Sequence, residues 1–375
     1  MKLVIVTNLI PNYTTSFLNK LIEIKSDLEI VVFADVETKN PLNQYNKDMC
    51  NFKVINSCAK NWNGLIFRGN LKKQIVSVAP DFLVIYANPR EVTLLNLMVY
   101  FWASKTRFFV HGMFHRIGGQ TLSTNFYYKL ISYFADRCFI YSRKGAEVLV
   151  SLGVSPNKIS IIGTAIDETI STQQADNILE SELFEFKKDN DILDKKVILQ
   201  VVRLSKIKKP DILITAAQKI LAKRNDVLFV LIGGGELFDE IKFLVNSAGL
   251  EKTIRLLGPI YDEKILAKWY LSSTVFVMPT CLGLSAHHAF SYGLPIVTDD
   301  SLIDQASEFD ILCDGLNGLV YKSGDTNSLV LKIIQIIDDE EFACFLSNNA
   351  RYTVNKLHSL ERKALNYLEA LGISK

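Results

Sequence analysis

The feature that most constrains this chain is a rhythm: short, unbroken apolar runs alternate with helical stretches from one end to the other. The runs fall at 3–6, 30–33, 82–86, 107–110, 138–141 and 159–162, and again at 197–202, 228–232, 254–257, 275–278 and 295–298. Stretches of helical spacing at 16–24, 91–103, 125–135 and 144–152 separate several of them. Strands covered on both faces read as continuous apolar runs, and parallel strands need a crossover between them, usually a helix. The pattern predicts an α/β fold built on doubly wound parallel sheets.

Length turns one such fold into two. A chain of 375 residues exceeds what one hydrophobic core usually supports, and two domains of about 150–200 residues are the natural division. The polar and charged stretch 168–195 reads as the linker, with a turn or two of helix around 179–186. That places an N-terminal Rossmann-like domain at 1–167 and a second at 196–355, with a C-terminal helix in 356–375 packing back on the first. The net charge of +2 hides an asymmetry, since residues 1–167 carry 19 Lys/Arg against 11 Asp/Glu. A basic half suits an anionic partner, either a membrane surface or a phosphorylated substrate; unselected drift of surface charge is the other reading. Six scattered cysteines with no Cys-x-x-Cys pair fit buried thiols in a reducing compartment better than a disulfide framework or a zinc site. The first apolar run is too short for a signal peptide and none reaches the roughly 18–20 residues of a membrane span, so a cytoplasmic protein is expected.

Ligands of doubly wound sheets bind beyond the carboxyl ends of the strands, and the unusual residues of this chain cluster there. Between Pro279 and Pro295 the order is turn, short helix from Ser285 to Tyr292, and a Gly293 suited to a left-handed helix end. Free N–H groups near Gly283, Leu284 and Ser285 attract phosphate. Spacing puts Ser285, His288 and Tyr292 on one side, with Ala286, Ala289 and Phe290 packing inward. Arg203 and Lys208, five residues apart after the strand at 197–202, offer a planar fork and a point charge for a diphosphate; a solvated basic loop is the plain alternative. Gly233 and Gly234 lie in a third strand–turn–helix, which is no Walker loop and brings backbone close to a nucleotide at most. His111 and His115 have the zinc spacing His-x-x-x-His, but Gly112 after a strand implies a loop, and no carboxylate accompanies them. His111 reads instead as a polar residue at the opening of the first sheet. The aromatic stretch 125–134, with Lys129, is either an interfacial helix on anionic lipid or an ordinary core helix.

These residues together resemble the retaining glycosyltransferases of family 4. The segment from Val202 to Lys208 is similar to the family's Gly-Arg-Leu-x-x-x-Lys, with Val202 in place of Gly. The turn at Gly233–Gly235, the strand ends at Gly258-Pro-Ile and Val277-Met-Pro-Thr, and the Gly-Leu-Asn-Gly-Leu and Gly324-Asp325 elements match as well. The family's Glu-x7-Glu pair does not: Thr280 and His288 stand at those positions, and neither carries a fixed negative charge. The resemblance implies the GT-B fold, two Rossmann-like domains facing a cleft. It implies a hexosyl- or deoxyhexosyl-type transferase that uses a UDP- or GDP-linked sugar as substrate, needs no cofactor or metal, and makes a bacterial surface glycan such as capsule, O-antigen or lipopolysaccharide. Arg203 and Lys208 are then the diphosphate ligands, and His111 stands near the transferred sugar. Gly233, Gly234, Thr280, Gly283, Leu284, Ser285 and His288 contact the donor. Asn8, Tyr13 and Arg116 receive a glycan or polyprenyl-diphosphate-linked acceptor, with peripheral attachment to the inner membrane face through the basic domain and no role for nucleic acid. A sugar-nucleotide epimerase and a non-catalytic glycan- or membrane-binding relative are the competing expectations.

Overall fold

The computed structural model describes residues 1–37 and 45–373, which form two compact units, one of residues 1–167 with the segment from Leu360 onward, the other Glu168–Ser359. The first runs β1 (Lys2–Val6), α1 (Asn12–Ile24), β2 (Glu29–Ala34), β3 (Lys53–Asn56), β4 (Ala59–Trp62), β5 (Leu65–Arg68), α2 (Leu71–Val78), β6 (Phe82–Tyr86), α3 (Thr93–Trp102), β7 (Arg107–Gly112), α4 (Leu122–Phe134), β8 (Arg137–Ile140), α5 (Arg143–Ser151) and β9 (Ile159–Ile161). Its sheet is parallel, in the order β3-β2-β1-β6-β7-β8-β9. Successive side chains of a strand face opposite ways. Leu3 and Ile5 therefore join Phe17 and Leu21 of α1 on one face, while Val4 and Val6 join Leu97 and Phe101 of α3 on the other.

The second unit runs α6 (Glu168–Asn177), α7 (Glu180–Asp189), β10 (Lys196–Val201), α8 (Pro210–Leu221), β11 (Val227–Ile232), α9 (Phe238–Ser247), β12 (Ile254–Gly258), α10 (Glu263–Leu271), β13 (Val275–Val277), α11 (Ser285–Ser291), β14 (Ile296–Asp299), β15 (Gly318–Tyr321), α12 (Thr326–Asp338) and α13 (Glu340–Tyr352). Its strands are parallel in the order β12-β11-β10-β13-β14-β15. The last helix, α14 (Leu360–Leu371), returns to the first unit and packs on α1, with Tyr367 edge-on to Phe17 at 5.1 Å. Each sheet reverses its winding once, between β1 and β6 and between β10 and β13, and a crevice opens beyond the strand ends at such a point.

Two expectations change. The stretch expected as a linker, 168–195, is two helices that belong to the second unit. Although α6 and α7 are polar in composition, the segment buries Ser171 within α6 and Ile178 and Ile192 just after each helix, and Phe186 meets Trp269 edge-on at 5.1 Å. The C-terminal helix starts at Leu360 rather than 356, because α13 continues through a π turn, Thr353–Leu357, within the second unit; residues 374–375 lie outside the described residues. Among the described residues, no helix is long and apolar enough to cross a membrane.

Candidate functional site

At the reversal of the second sheet, the loops after β10 and β13 meet. Lys208 donates from Nζ to the carbonyl oxygen of Cys281. The ammonium also meets the Cys281 thiol, where it acts against the upward push of burial on the thiol pKa, and no carboxylate pairs with Lys208 among the described residues. The backbone is unusual on both sides of this contact, with φ of 46° at Lys209 and 55° at Cys281, a region few non-glycine residues occupy. Gly283 leaves room for the same contact, because a Cβ there would lie 3.3 Å from the Lys208 ammonium and crowd it. Beyond it the amides of Ala286 and His287 are taken by the carbonyls of Gly283 and Leu284, while those of Gly283, Leu284 and Ser285 have no protein acceptor among the described residues. Arg203 is exposed, with no ion pair or hydrogen bond of its side chain among the described residues. The structure thus brings Lys208 together with Gly283, and leaves Arg203 in the same loop as Lys208.

The glycine turn after β11 does a different job from the one expected of Gly233 and Gly234. Gly233 has φ of 137°, and a Cβ there would come within 1.9 Å of the Val202 carbonyl oxygen. Gly235 sits as tightly on Leu204, whose amide donates to the Gly234 carbonyl oxygen at 2.8 Å. These glycines let the Arg203 loop lie flat on the next strand end, and Gly234 itself is half-buried.

Thr280, expected at the donor sugar, is fully buried, and its hydroxyl donates to Asp299 Oδ1 at 3.0 Å. Gln305 ties the same carboxylate to the active loop: its Nε2 donates to Asp299 Oδ1 at 2.8 Å and its Oε1 accepts from the Leu282 amide at 2.8 Å. Burial raises the Asp299 pKa, while hydrogen bonds from Ser323, Thr280 and Gln305 act the other way. Thr280 is therefore a strut of the loop and not a ligand contact. Asp299 and Gln305 escaped the sequence reading, although the carboxylate pair Asp299-Asp300 at the end of an apolar run was a signal. His288 is half-buried, and desolvation lowers its pKa to about 4, so near neutral pH it is an uncharged donor and acceptor. Tyr292 does not share its side: it is buried in the core, stacked on Tyr270 at 5.0 Å. Ala286, Ala289 and Phe290 do face inward.

At the reversal of the first sheet lies a cleft of about 440 Å³, lined among others by Asn8, Tyr13, Tyr86, Asn88 and Tyr141. Asn8 and Tyr13 are thereby brought together. Arg116 is exposed and is not part of this lining. His111 is not at an opening either. It belongs to β7, is 1% exposed, and lies behind the cleft wall at 4.4 Å from the Tyr86 ring and 4.7 Å from Tyr141. Burial, helped by Lys363, holds its pKa well below the usual imidazole value, and neither ring nitrogen has a hydrogen-bond partner among the described residues. His115 is buried four residues on, with Nδ1 3.1 Å from the Met113 carbonyl oxygen. No group of three His, Cys, Asp or Glu suited to a metal occurs among the described residues.

Comparison with known proteins locates this geometry. Residues 182–353 match the family model described as "Glycosyl transferases group 1". Over 255 residues the chain is 26% identical to the Escherichia coli UDP-Gal:alpha-D-GlcNAc-diphosphoundecaprenol alpha-1,3-galactosyltransferase, covering 64% of this chain and 62% of that enzyme. An uncharacterized glycosyltransferase of Methanocaldococcus jannaschii is 28% identical over 46% of this chain and 43% of its own length. The chain thus spans less than two thirds of these curated relatives. In structure it is similar to Anabaena HepE solved with UDP, with a TM-score of 0.77 over 99% of this chain and all of that one, at 15% identity. The chain has the GT-B fold, and its second unit carries the match to glycosyl transferases group 1.

Proposed function

We propose that this protein is a retaining glycosyltransferase that moves a hexosyl or deoxyhexosyl group from a UDP- or GDP-linked sugar to a glycan or lipid-linked glycan during bacterial surface polysaccharide synthesis. The observation that carries the reading is the Lys208 ammonium, anchored on the Cys281 carbonyl beside Gly283. Among the described residues it has no carboxylate partner, lies beside three amides without a protein acceptor, and shares its loop with an unpaired Arg203. Such a set has one evident use, the binding of a diphosphate. The matched family model over 182–353 and the similarity to a galactosyltransferase whose acceptor is a diphosphoundecaprenol-linked sugar support it.

As the bond from sugar to diphosphate breaks, negative charge gathers on the leaving phosphate, where Arg203 and Lys208 stabilise it. The acceptor hydroxyl attacks the anomeric carbon from the face the phosphate leaves, and its proton passes to that phosphate. No nucleophilic side chain is needed. Neutral His288 hydrogen-bonds hydroxyl groups of the donor. The basic first unit, with exposed aromatics on α3 and α4, sits peripherally on anionic membrane where lipid-linked acceptors reside.

A thermal-shift comparison of UDP, GDP, dTDP and their sugar conjugates tests the reading. One nucleoside diphosphate is expected to raise the melting temperature of the wild type and to have little effect on Lys208→Ala. Equal shifts in both proteins would place the diphosphate elsewhere.

A further inference from the structure

Beneath the cleft of the first unit lies a buried ion pair that the reaction outlined above does not use. Arg68, at the end of β5, has a side chain with no exposure, and Glu91, after β6, is 3% exposed; Nε and Oε2 are 3.0 Å apart. Taking a guanidinium out of water is expensive unless each donor finds a partner. Here Nη1 donates to the Ser57 hydroxyl, Nη2 donates to Asn8 Oδ1 at 2.6 Å, and the Arg68 amide donates to Thr93 Oγ1 at 2.7 Å. The guanidinium therefore grips three separate loops: after β1 through Asn8, after β3 through Ser57, and after β6 through Glu91. The hairpin that presents it is itself tied to the last loop, with Ile66 N donating to the Arg90 carbonyl oxygen at 2.7 Å and Val92 N to the Ile66 carbonyl oxygen at 3.0 Å.

The consequence for the cleft follows from donor chemistry. A guanidinium has no acceptor, so the Asn8 carboxamide must turn its oxygen toward Arg68. Its Nδ2, which has no partner among the described residues, is then the polar atom left for the cleft that Asn8 lines. No charged side chain lines that cleft among the described residues, and the Arg68 guanidinium beneath it is paired with Glu91, while the Lys363 ammonium is buried behind the wall, 5.8 Å from the Tyr141 ring centroid. Tyrosines and neutral amides form the wall. We propose that Arg68, locked by Glu91, is a positioning residue that fixes Asn8 as an N–H donor toward an uncharged, hydroxyl-bearing sugar ring. An anionic group would find no cation in this cleft. The inference deepens the proposed function by assigning the chemical class held in the first unit, and its identification of that ligand as acceptor rests on the earlier reading.

Saturation-transfer NMR with methyl glycosides of glucose, galactose and N-acetylglucosamine tests it, with inorganic pyrophosphate as competitor and the UDP-induced melting shift measured on every variant. At least one glycoside is expected to receive saturation in the wild type and to keep it when pyrophosphate is added. Asn8→Asp retains an acceptor for Arg68 but removes the donor. It is expected to melt no lower than wild type, keep its UDP shift, and bind the glycoside about tenfold more weakly, the worth of one lost hydrogen bond. Arg68→Met is expected to show the same weakening where it folds; Asn8→Asp decides where it does not. Wild-type glycoside binding by Asn8→Asp, displacement by pyrophosphate, or no saturation of any glycoside would overturn the proposal. Absence of a melting shift with either UDP or GDP in the wild type would instead count against the diphosphate site and leave this inference standing.

Discussion

Arg68 and Arg203 occupy comparable places, each beside the winding reversal of its own parallel sheet, yet they meet opposite fates. Arg68 is buried and satisfied by Glu91, Ser57 and Asn8. Arg203 is exposed, with its side chain unpaired among the described residues and Lys208 in the same loop. A guanidinium surrounded by partners has become part of the scaffold, and its charge no longer reaches a ligand. One kept short of partners retains its field for an arriving anion. The first crevice is thus neutral and polar, the second cationic, although both grow from the same strand-end geometry.

The sharpest way to break this contrast is to remove the partner on one side and the cation on the other. Glu91→Ala leaves Arg68 buried and uncompensated, and is expected to cost about 3–5 kcal/mol of stability, read from urea unfolding. A loss below about 1 kcal/mol would mean that water reaches Arg68 and that its role as scaffold is wrong. Arg203→Ala should do the converse. Its melting temperature stays with the wild type, since an exposed, unpaired side chain contributes within about 0.5 kcal/mol. Sugar transfer falls on the order of 100–1000-fold, the cost of one missing donor to a developing anion. Substantial unfolding with unchanged transfer would reverse the two assignments.

A smaller effect appears in the pH dependence of stability. The His288 pKa in the folded protein is about 4 against 6.5 when unfolded. Below pH 6.5 the unfolded chain therefore binds the extra proton, so stability is intact above that pH and falls as the pH drops toward 4. The size is on the order of 2–3 kcal/mol at pH 4.5. His288→Asn should lose less stability than wild type between pH 7 and 4.5, by about that amount. His111 in the first unit shifts in the same direction, so the wild type keeps an acid sensitivity that this variant does not remove. Identical pH profiles of variant and wild type would show that His288 is hydrated.

What was legible in the sequence followed the same division between scaffold and site. Unbroken apolar runs announce buried parallel strands, and β6 coincides with the expected 82–86 while β11 differs by one residue. The hairpin β4–β5 went unread although its Asn63-Gly64 turn, with φ of 49° and 81°, is a strong hairpin signal; its strands are only 4 residues each and β4 is largely polar. The helices of 168–189 were hidden by the same polarity. At the site, Lys208 and Gly283 could be paired from their positions at strand ends. Thr280 could not be told from a ligand, because only the fold places Asp299 and Gln305 against it. His111 looked like an opening residue until β7 extended to Gly112 and enclosed it between Tyr86 and Tyr141. Position along a strand is written in local pattern, whereas the partner that consumes a polar group comes from far along the chain.

The smallest predicted effect concerns surfaces and extends the contrast outward. In the first unit, the contacting helices α3 and α4 expose Val99, Trp102, Leu122, Phe126 and Tyr133, with Leu122 90% and Phe126 70% exposed. Lys105 and Lys129 stand exposed among them. In the second unit Phe243 and Leu331, two of the exposed apolar residues, sit on the separate helices α9 and α12. Aromatic and aliphatic side chains flanked by lysines are suited to the boundary of an anionic bilayer, where each side chain entering it contributes up to about 1.5–3 kcal/mol. Partial immersion is the realistic case for side chains at a helix start. Phe126→Ser is therefore expected to weaken co-sedimentation with phosphatidylglycerol-containing vesicles about tenfold, and added salt should weaken it further by screening the lysines. Phe243→Ser should sediment as the wild type does. If the two variants behave alike, the exposed aromatics of α4 do not meet the lipid, and the proposed attachment through this face is wrong.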